Sequence, residues 1–163
     1  MNSLRKFLVT GFGTGYLPVA PGTWGSAAVA GIFLLVCWGS GGKLLCVDGT
    51  MTAILIASCV ACVALGRFTE QAFGKKDPGQ CTIDEWAGQA IALSGMPLGA
   101  GLGRWAIIAA VAFAAFRLFD IVKPPPARRL EKLPHGWGVL LDDLAAGIYA
   151  NIAAQLVLRL CIL

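Results

Sequence analysis

Five carboxylates stand where charge gives way to apolar chain: Asp84 and Glu85 in TIDEWAGQ (82–89), Asp120 in FRLFDIVKPPP (116–126), and Asp142 and Asp143 in HGWGVLLDDLAAG (135–147). Clustered oxygen donors without a matching set of thiols or histidines suit a hard divalent cation, Mg2+ or Mn2+. Such an ion shares its coordination with waters and a phosphate, and it polarises a phosphoryl group or holds the attacking water. Arg117, Asp120 and Lys123 recur at i, i+3 and i+6, on roughly one helix face until three prolines end the helix. That spacing makes Asp120 a candidate metal ligand and sets Lys123 and Arg117 to meet phosphate oxygens.

A fourth segment offers an anion site without charge. GFGTGYLPVAPGTWGS (11–26) holds five glycines and two prolines directly before a long apolar run. Thr23 or Ser26 is expected to cap the helix that follows Pro21-Gly22, where free N–H groups and the helix dipole suit a phosphate. No strand precedes the glycines, which excludes a dinucleotide-binding unit.

Each segment also has a plainer reading. Thr82-x-x-Glu85 has the form of a capping box, and adjacent helical residues point about 100° apart, against Asp84 and Glu85 reaching one ion. Arg117, Asp120 and Lys123 can form a charge ladder, and an acid opening the last apolar segment can be a helix cap. All of these would have to hold together. Paired acids at a membrane boundary are costly unless they meet a cation.

The elements that must position these residues follow from composition. The 163 residues suffice for a single domain, 1–163. Charged residues make up 13% of them, about half the share of an ordinary soluble domain, roughly 25%. With 57% hydrophobic residues and a mean hydropathy of +0.73, the chain is expected to sit in lipid. Charge-free stretches predict helices at about 24–41, 50–67, 84–100, 103–121 and 142–161, the third broken or shallow at Gly95-Met96-Pro97. No run alternates as a strand does. The expectation is an all-α, polytopic membrane bundle of about five helices with a Gly/Pro-rich N-terminal loop.

Five passes from a cytoplasmic N-terminus gather Arg5, Lys6, Arg67, Lys75, Lys76, Arg117, Lys123, Arg128, Arg129 and Lys132 on the inner side. Only Lys43, Arg104 and Arg159 fall outside, and of the acids Asp48 alone does. Polar chemistry concentrated at one membrane face is the mark of a site there. A net charge of +4 beside apolar segments points to phospholipid as partner rather than nucleic acid. No secretory leader is expected, because Phe7-Leu8-Val9 gives way at once to Gly11. Cys59 and Cys62 form a C-x-x-C inside an apolar helix, where they serve packing. Neither a C-x5-R loop nor a D-x-D-x-T pattern is present, and the one histidine, His135, cannot supply a two-histidine phosphatase. It stays a minor candidate for a proton shuttle.

Taken in order, FGTGYLPVAPGTWGS, IDEWAGQ, FRLFDIVKPPP and GWGVLLDDLAAGIYAN resemble the bacterial phosphatidylglycerophosphatase A family, over nearly the whole chain. The resemblance implies an all-helical protein of the inner membrane. It also implies Mg2+-dependent removal of the terminal phosphate from phosphatidylglycerophosphate, giving phosphatidylglycerol and inorganic phosphate. Asp84, Glu85, Asp120, Lys123, Asp142, Asp143 and Thr23 fall on the family's motif positions, whereas His135 stands where members often have another residue. Two alternatives carry the same carboxylates: a phosphatase of polyprenyl or other lipid phosphates, and a non-enzymatic ion-binding membrane subunit. The uncharged middles of the apolar runs count against the latter.

Overall fold

Ala-, Leu- and Gly-rich runs without alternation fold as helix throughout the described residues, 2–131 and 133–162 of a computed structural model. Lys132 lies outside them. The elements are α1 (Asn2–Val9), a 3-10 turn (Thr14–Tyr16), α2 (Pro21–Ser40), α3 (Leu44–Phe73), α4 (Ile83–Leu93), α5 (Leu102–Val122), α6 (Ala127–Leu130) and α7 (Gly136–Val157), which widens into a π-helical turn at Leu158–Ile162. The five expected helices are α2, α3, α4, α5 and α7, with displaced ends. Helix α3 starts at Leu44 rather than near 50 and so includes Asp48. The helix expected over 84–100 stops at Leu93, ahead of Gly95 at φ 64 and Pro97. The helix expected from 142 begins six residues earlier, at Gly136.

Helices α2, α3, α5 and α7 are long and apolar enough to cross a membrane. Helix α4 is not. Its 11 residues span about 16 Å at 1.5 Å per residue, roughly half of a hydrocarbon core about 30 Å thick. The segment 94–101 completes the pass. At one end of the bundle, Gly22 of α2 abuts Glu85 of α4 and Arg117 of α5. At the other, Asp48 accepts a hydrogen bond from the Gly95 amide at 3.0 Å, and Gly42 lies against Trp105 and the Gly99 carbonyl. The third apolar stretch is therefore part helix and part irregular chain, with positive φ at Gly95, Gly99 and Gly101, and nine of the 11 residues of α4 are buried.

Irregular backbone at that depth survives only where protein satisfies it. The Asn151 amide donates to the carbonyls of Ser94 (2.7 Å), Ile91 (2.9 Å) and Ala92 (3.3 Å), closing the C-terminal end of α4. Arg104 donates to the Pro97 carbonyl at 3.3 Å and the Trp105 indole to the Gly99 carbonyl at 3.2 Å. Glycine lets α7 come close: a methyl on Gly147 would meet the Gly88 carbonyl, and one on Gly66 would lie 2.7 Å from the Gly136 Cα. Leu35, Trp38, Ile56, Val60, Leu118, Ile121, Ile152 and Leu156 stay exposed on the outer flanks, as lipid-facing side chains do. Cys59 and Cys62 are free thiols, and Cys62 packs buried at the α3–α7 contact. Replacing Asn151 with Ala removes the side-chain donor from the Ala92 and Ser94 carbonyls, while the Ile91 carbonyl keeps the Ser94 amide; a loss of about 1–3 kcal/mol, read as a lower melting temperature in detergent micelles, is the expected result.

Candidate active site

The first turn of α4 holds the key departure from expectation. Thr82 occupies the N-cap position but makes no capping hydrogen bond; its hydroxyl lies 3.0 Å from the Thr14 hydroxyl. The capping box is therefore not formed, and Glu85 is released from it. Glu85 Oε2 and Asp84 Oδ1 are both buried with no hydrogen-bond partner among the described residues. Asp143 joins them from α7, and ligand atoms of Asp84, Glu85 and Asp143 all lie within 4.8 Å of one another. The 100° between neighbouring residues does not keep Asp84 and Glu85 apart. At a helix start the side chains lean toward the N-terminus, past the last turn of backbone, where two of them can converge.

Asp142 and Asp143 do not open their helix, contrary to expectation. They lie nearly two turns inside α7, which removes any capping role. Gly88 explains how α7 comes so near, since a methyl there would sit 2.7 Å from the Asp143 carbonyl oxygen.

The other two candidate ligands face cations. Asp142 Oδ2 takes Lys123 Nζ at 2.6 Å, while its Oδ1 accepts the Asp143 amide at 3.1 Å. Lys123 closes α5 in the left-handed region (φ 47) and also stands 3.5 Å from Glu131. Burial pulls the Lys123 ammonium down, but the Asp142 hydrogen bond and the negative charges of Asp142, Glu131 and Asp143 together outweigh it and hold the group above its ordinary value. Asp120 Oδ2 lies 2.9 Å from Arg117 Nη1. That pair is close in charge but poorly aligned, and Arg117 Nε and Nη1 are buried without a hydrogen-bond partner among the described residues.

Helix α2 enters at the same point. It starts at Pro21 behind Ala20 (φ 53) with no side-chain cap, so neither Thr23 nor Ser26 plays the expected capping part. Thr23 is half-buried in the first turn, and the buried Ser26 hydroxyl turns back on the Gly22 carbonyl at 2.9 Å. A methyl on Gly22 would meet Glu85 Oε1 and lie 3.2 Å from Arg117 Nη1, so glycine lets the helix start touch both. His135 precedes α7 and pairs with Glu70 at 2.9 Å; it is about 12 Å from Asp143 along the helix axis at 1.5 Å per residue.

Asp77 was not foreseen from sequence, where KKDPG reads as an ordinary charged loop. Desolvation raises its carboxyl above the ordinary value despite the pull of Lys123, with Glu131 and Asp120 adding to the rise. It lines a cavity of about 350 Å3 with Lys76, Arg128, Glu131 and Val139, a polar recess beside the site.

Three clustered carboxylates, two of them with stranded oxygens, call for positive charge. An all-carboxylate donor set fits a hard divalent ion. The stranded N–H groups of Arg117, a few ångströms away, call for an anion. Together the set is matched to a cation and an oxyanion held side by side.

A family model described as Phosphatidylglycerophosphatase A matches residues 7–158. A Haemophilus influenzae protein named phosphatidylglycerophosphatase A is 39% identical over 152 residues, covering 89% of this chain and 83% of that protein. A Bacteroides thetaiotaomicron protein named putative phosphatidylinositol-3-phosphatase is 35% identical over 149 residues, covering 91% and 90%. An Escherichia coli K12 protein named phosphatidylglycerophosphatase A is 32% identical over 149 residues, covering 91% and 80%. No solved structure matches.

Ion binding at the carboxylates is expected to stabilise the fold by mass action. Mg2+ at a hundred times its dissociation constant adds about 2.7 kcal/mol, visible as a rise in melting temperature. Asp143→Asn should abolish the rise while leaving the metal-free melt at or above that of the unsubstituted chain.

Proposed function

The chain belongs to the phosphatidylglycerophosphatase A family, and from that premise we propose that it hydrolyses phosphatidylglycerophosphate to phosphatidylglycerol and inorganic phosphate, with Mg2+ as cofactor, at the cytoplasmic face of the inner membrane. One observation carries this reading: the stranded carboxylate oxygens of Asp84 and Glu85, gathered with Asp143, adjoin the stranded N–H groups of Arg117.

Asp84, Glu85 and Asp143 would hold the ion. When bound, it supplies Lewis acidity toward the phosphoryl oxygens. Arg117 Nε and Nη1 donate to phosphate oxygens, and Asp120 positions that guanidinium from the other side. Lys123, fixed by Asp142 at 2.6 Å, adds a second positive charge at the rim. Asp120 and Asp142 are thus assigned to positioning the two cations rather than to the ion. Gly22 brings the positive end of the α2 dipole against the same point, with Thr23 in the first turn as a further contact. The buried α4 keeps bulk water from the inner side of the site. The excess of Lys and Arg at this end supports its cytoplasmic orientation. The headgroup then enters from the polar end while the acyl chains stay in the inner leaflet.

A second reading has one observation in its favour. The Bacteroides relative is named for an inositol lipid phosphate, and the site asks only for a phosphate monoester on a lipid. Phosphate release by the purified chain in mixed micelles separates the two, with phosphatidylglycerophosphate, phosphatidylinositol 3-phosphate and a polyprenyl phosphate offered in parallel. Fastest turnover of phosphatidylglycerophosphate is expected, falling to background with a chelator. Arg117→Gln should lower kcat by about 100-fold or more, and Asp84→Asn or Asp143→Asn at least as much, with expression unchanged. Release from none of the lipids would sink the hydrolase reading.

A further inference from the structure

Gln89 is the residue the site has not yet used. It lies in α4 with 0% exposure, and neither its amide oxygen nor its amide nitrogen has a hydrogen-bond partner among the described residues. Outside the carboxylate–Arg117 cluster, the Trp86 indole N–H is the one other buried side-chain group without a partner among the described residues, and Gln89 differs from it in lacking partners at both a donor and an acceptor. Several buried polar side chains elsewhere are satisfied. Thr10 bonds the Lys6 carbonyl, Ser26 that of Gly22, Thr69 that of Leu65, and Asn151 those at the end of α4. A fully buried amide stranded at both ends is rare in a folded chain and points to a missing guest.

Its place in the helix says where the guest sits. Gln89 follows Glu85 by four residues, so the two side chains share a face with their Cβ atoms about 5–6 Å apart. Helical side chains lean toward the N-terminus, which carries the Gln89 amide up toward the Glu85 carboxylate. This spacing places Gln89 one turn below Glu85 on the same face of α4, beneath the end of the helix that carries the stranded oxygens of Asp84 and Glu85.

The chemistry of the amide says what the guest is. A cation satisfies only the oxygen, and a phosphate oxygen satisfies only the nitrogen. A water molecule, donor and acceptor at once, satisfies both. We propose that Gln89 holds and orients the hydrolytic water beneath the phosphate, an assignment that rests on the hydrolase reading above. Gln89 Oε1 accepts one O–H of the water and Nε2 donates to one of its lone pairs, leaving the other lone pair for phosphorus. The water oxygen bonds to phosphorus as the ester P–O bond to glycerol breaks. One water proton ends on the glycerol oxygen and the other stays on the released phosphate.

The test is Gln89→Met, which keeps the volume and removes the amide, read in the full-length chain by kinetics, by melting, and by Mn2+ titration followed by electron paramagnetic resonance. The expected result is a kcat about 100-fold lower with KM and Mn2+ affinity within about threefold. The melting temperature should stay level or rise, because a stranded amide has been replaced by an apolar chain. Gln89→Leu, which removes both amide atoms without adding a ligand, decides by the same readouts where the Met variant does not fold. Retained kcat overturns the proposal, as does Mn2+ affinity falling in step with kcat, or a lowered melting temperature in both variants. These outcomes leave phosphate release by the unsubstituted chain intact, whereas its absence overturns the hydrolase reading and this role with it.

Discussion

Carboxylates gathered in a water-poor interior repel one another and have lost their hydration, so they persist only if positive charge is brought to them. Asp84, Glu85 and Asp143 set that demand, and much of the polar end of the bundle is arranged around it. Arg117 and Lys123 come close without neutralising the three directly, because each is engaged by a different acid, Asp120 and Asp142. The cluster is thus left with oxygens that have no hydrogen-bond partner among the described residues. Two separate ion pairs beside one unpaired cluster are the arrangement on which the proposed site for a divalent ion and a phosphate rests.

Placing that cluster requires an unusual centre. A helix that crossed the whole membrane would bury its ends at both interfaces. Helix α4 is instead half a span long, starts with two acids at the polar end and gives way to irregular chain at Ser94. Its carbonyl end is closed by Asn151 and the following turn by Arg104 and Trp105. Glycines at 88 and 147 draw α7 in so that Asp143 arrives beside the α4 start, and Gly22 admits the start of α2. The small residues act on the chemistry by setting how near the helices stand.

Much of this was legible beforehand. Apolar runs broken by charge gave five helices and their approximate order, since a chain with so little charge has few other ways to satisfy its backbone. Gly95-Met96-Pro97 marked the interrupted pass. Helix ends were less legible: α7 runs back to Gly136 through a Gly/Trp stretch with no clear start signal, and that shift put both acids inside the helix and removed the capping alternative for either. Thr82 and Glu85 have the pattern of a capping box, but Thr14, 68 residues away, takes up the Thr82 hydroxyl instead. Local spacing cannot report a competitor that distant. Asp77 and Gln89 escaped notice for the same reason, one reading as loop and the other as a polar residue in a motif.

The sequence by itself determined that acids and bases crowd one end of a helical membrane bundle, because composition and the order of charged and uncharged stretches are enough to set that. Which acids gather into one cluster and which hold an arginine or a lysine was decided only by the tertiary structure. Those partnerships turn on distances of a few ångströms between helices far apart in the chain, set by glycine contacts and helix ends that no single segment encodes.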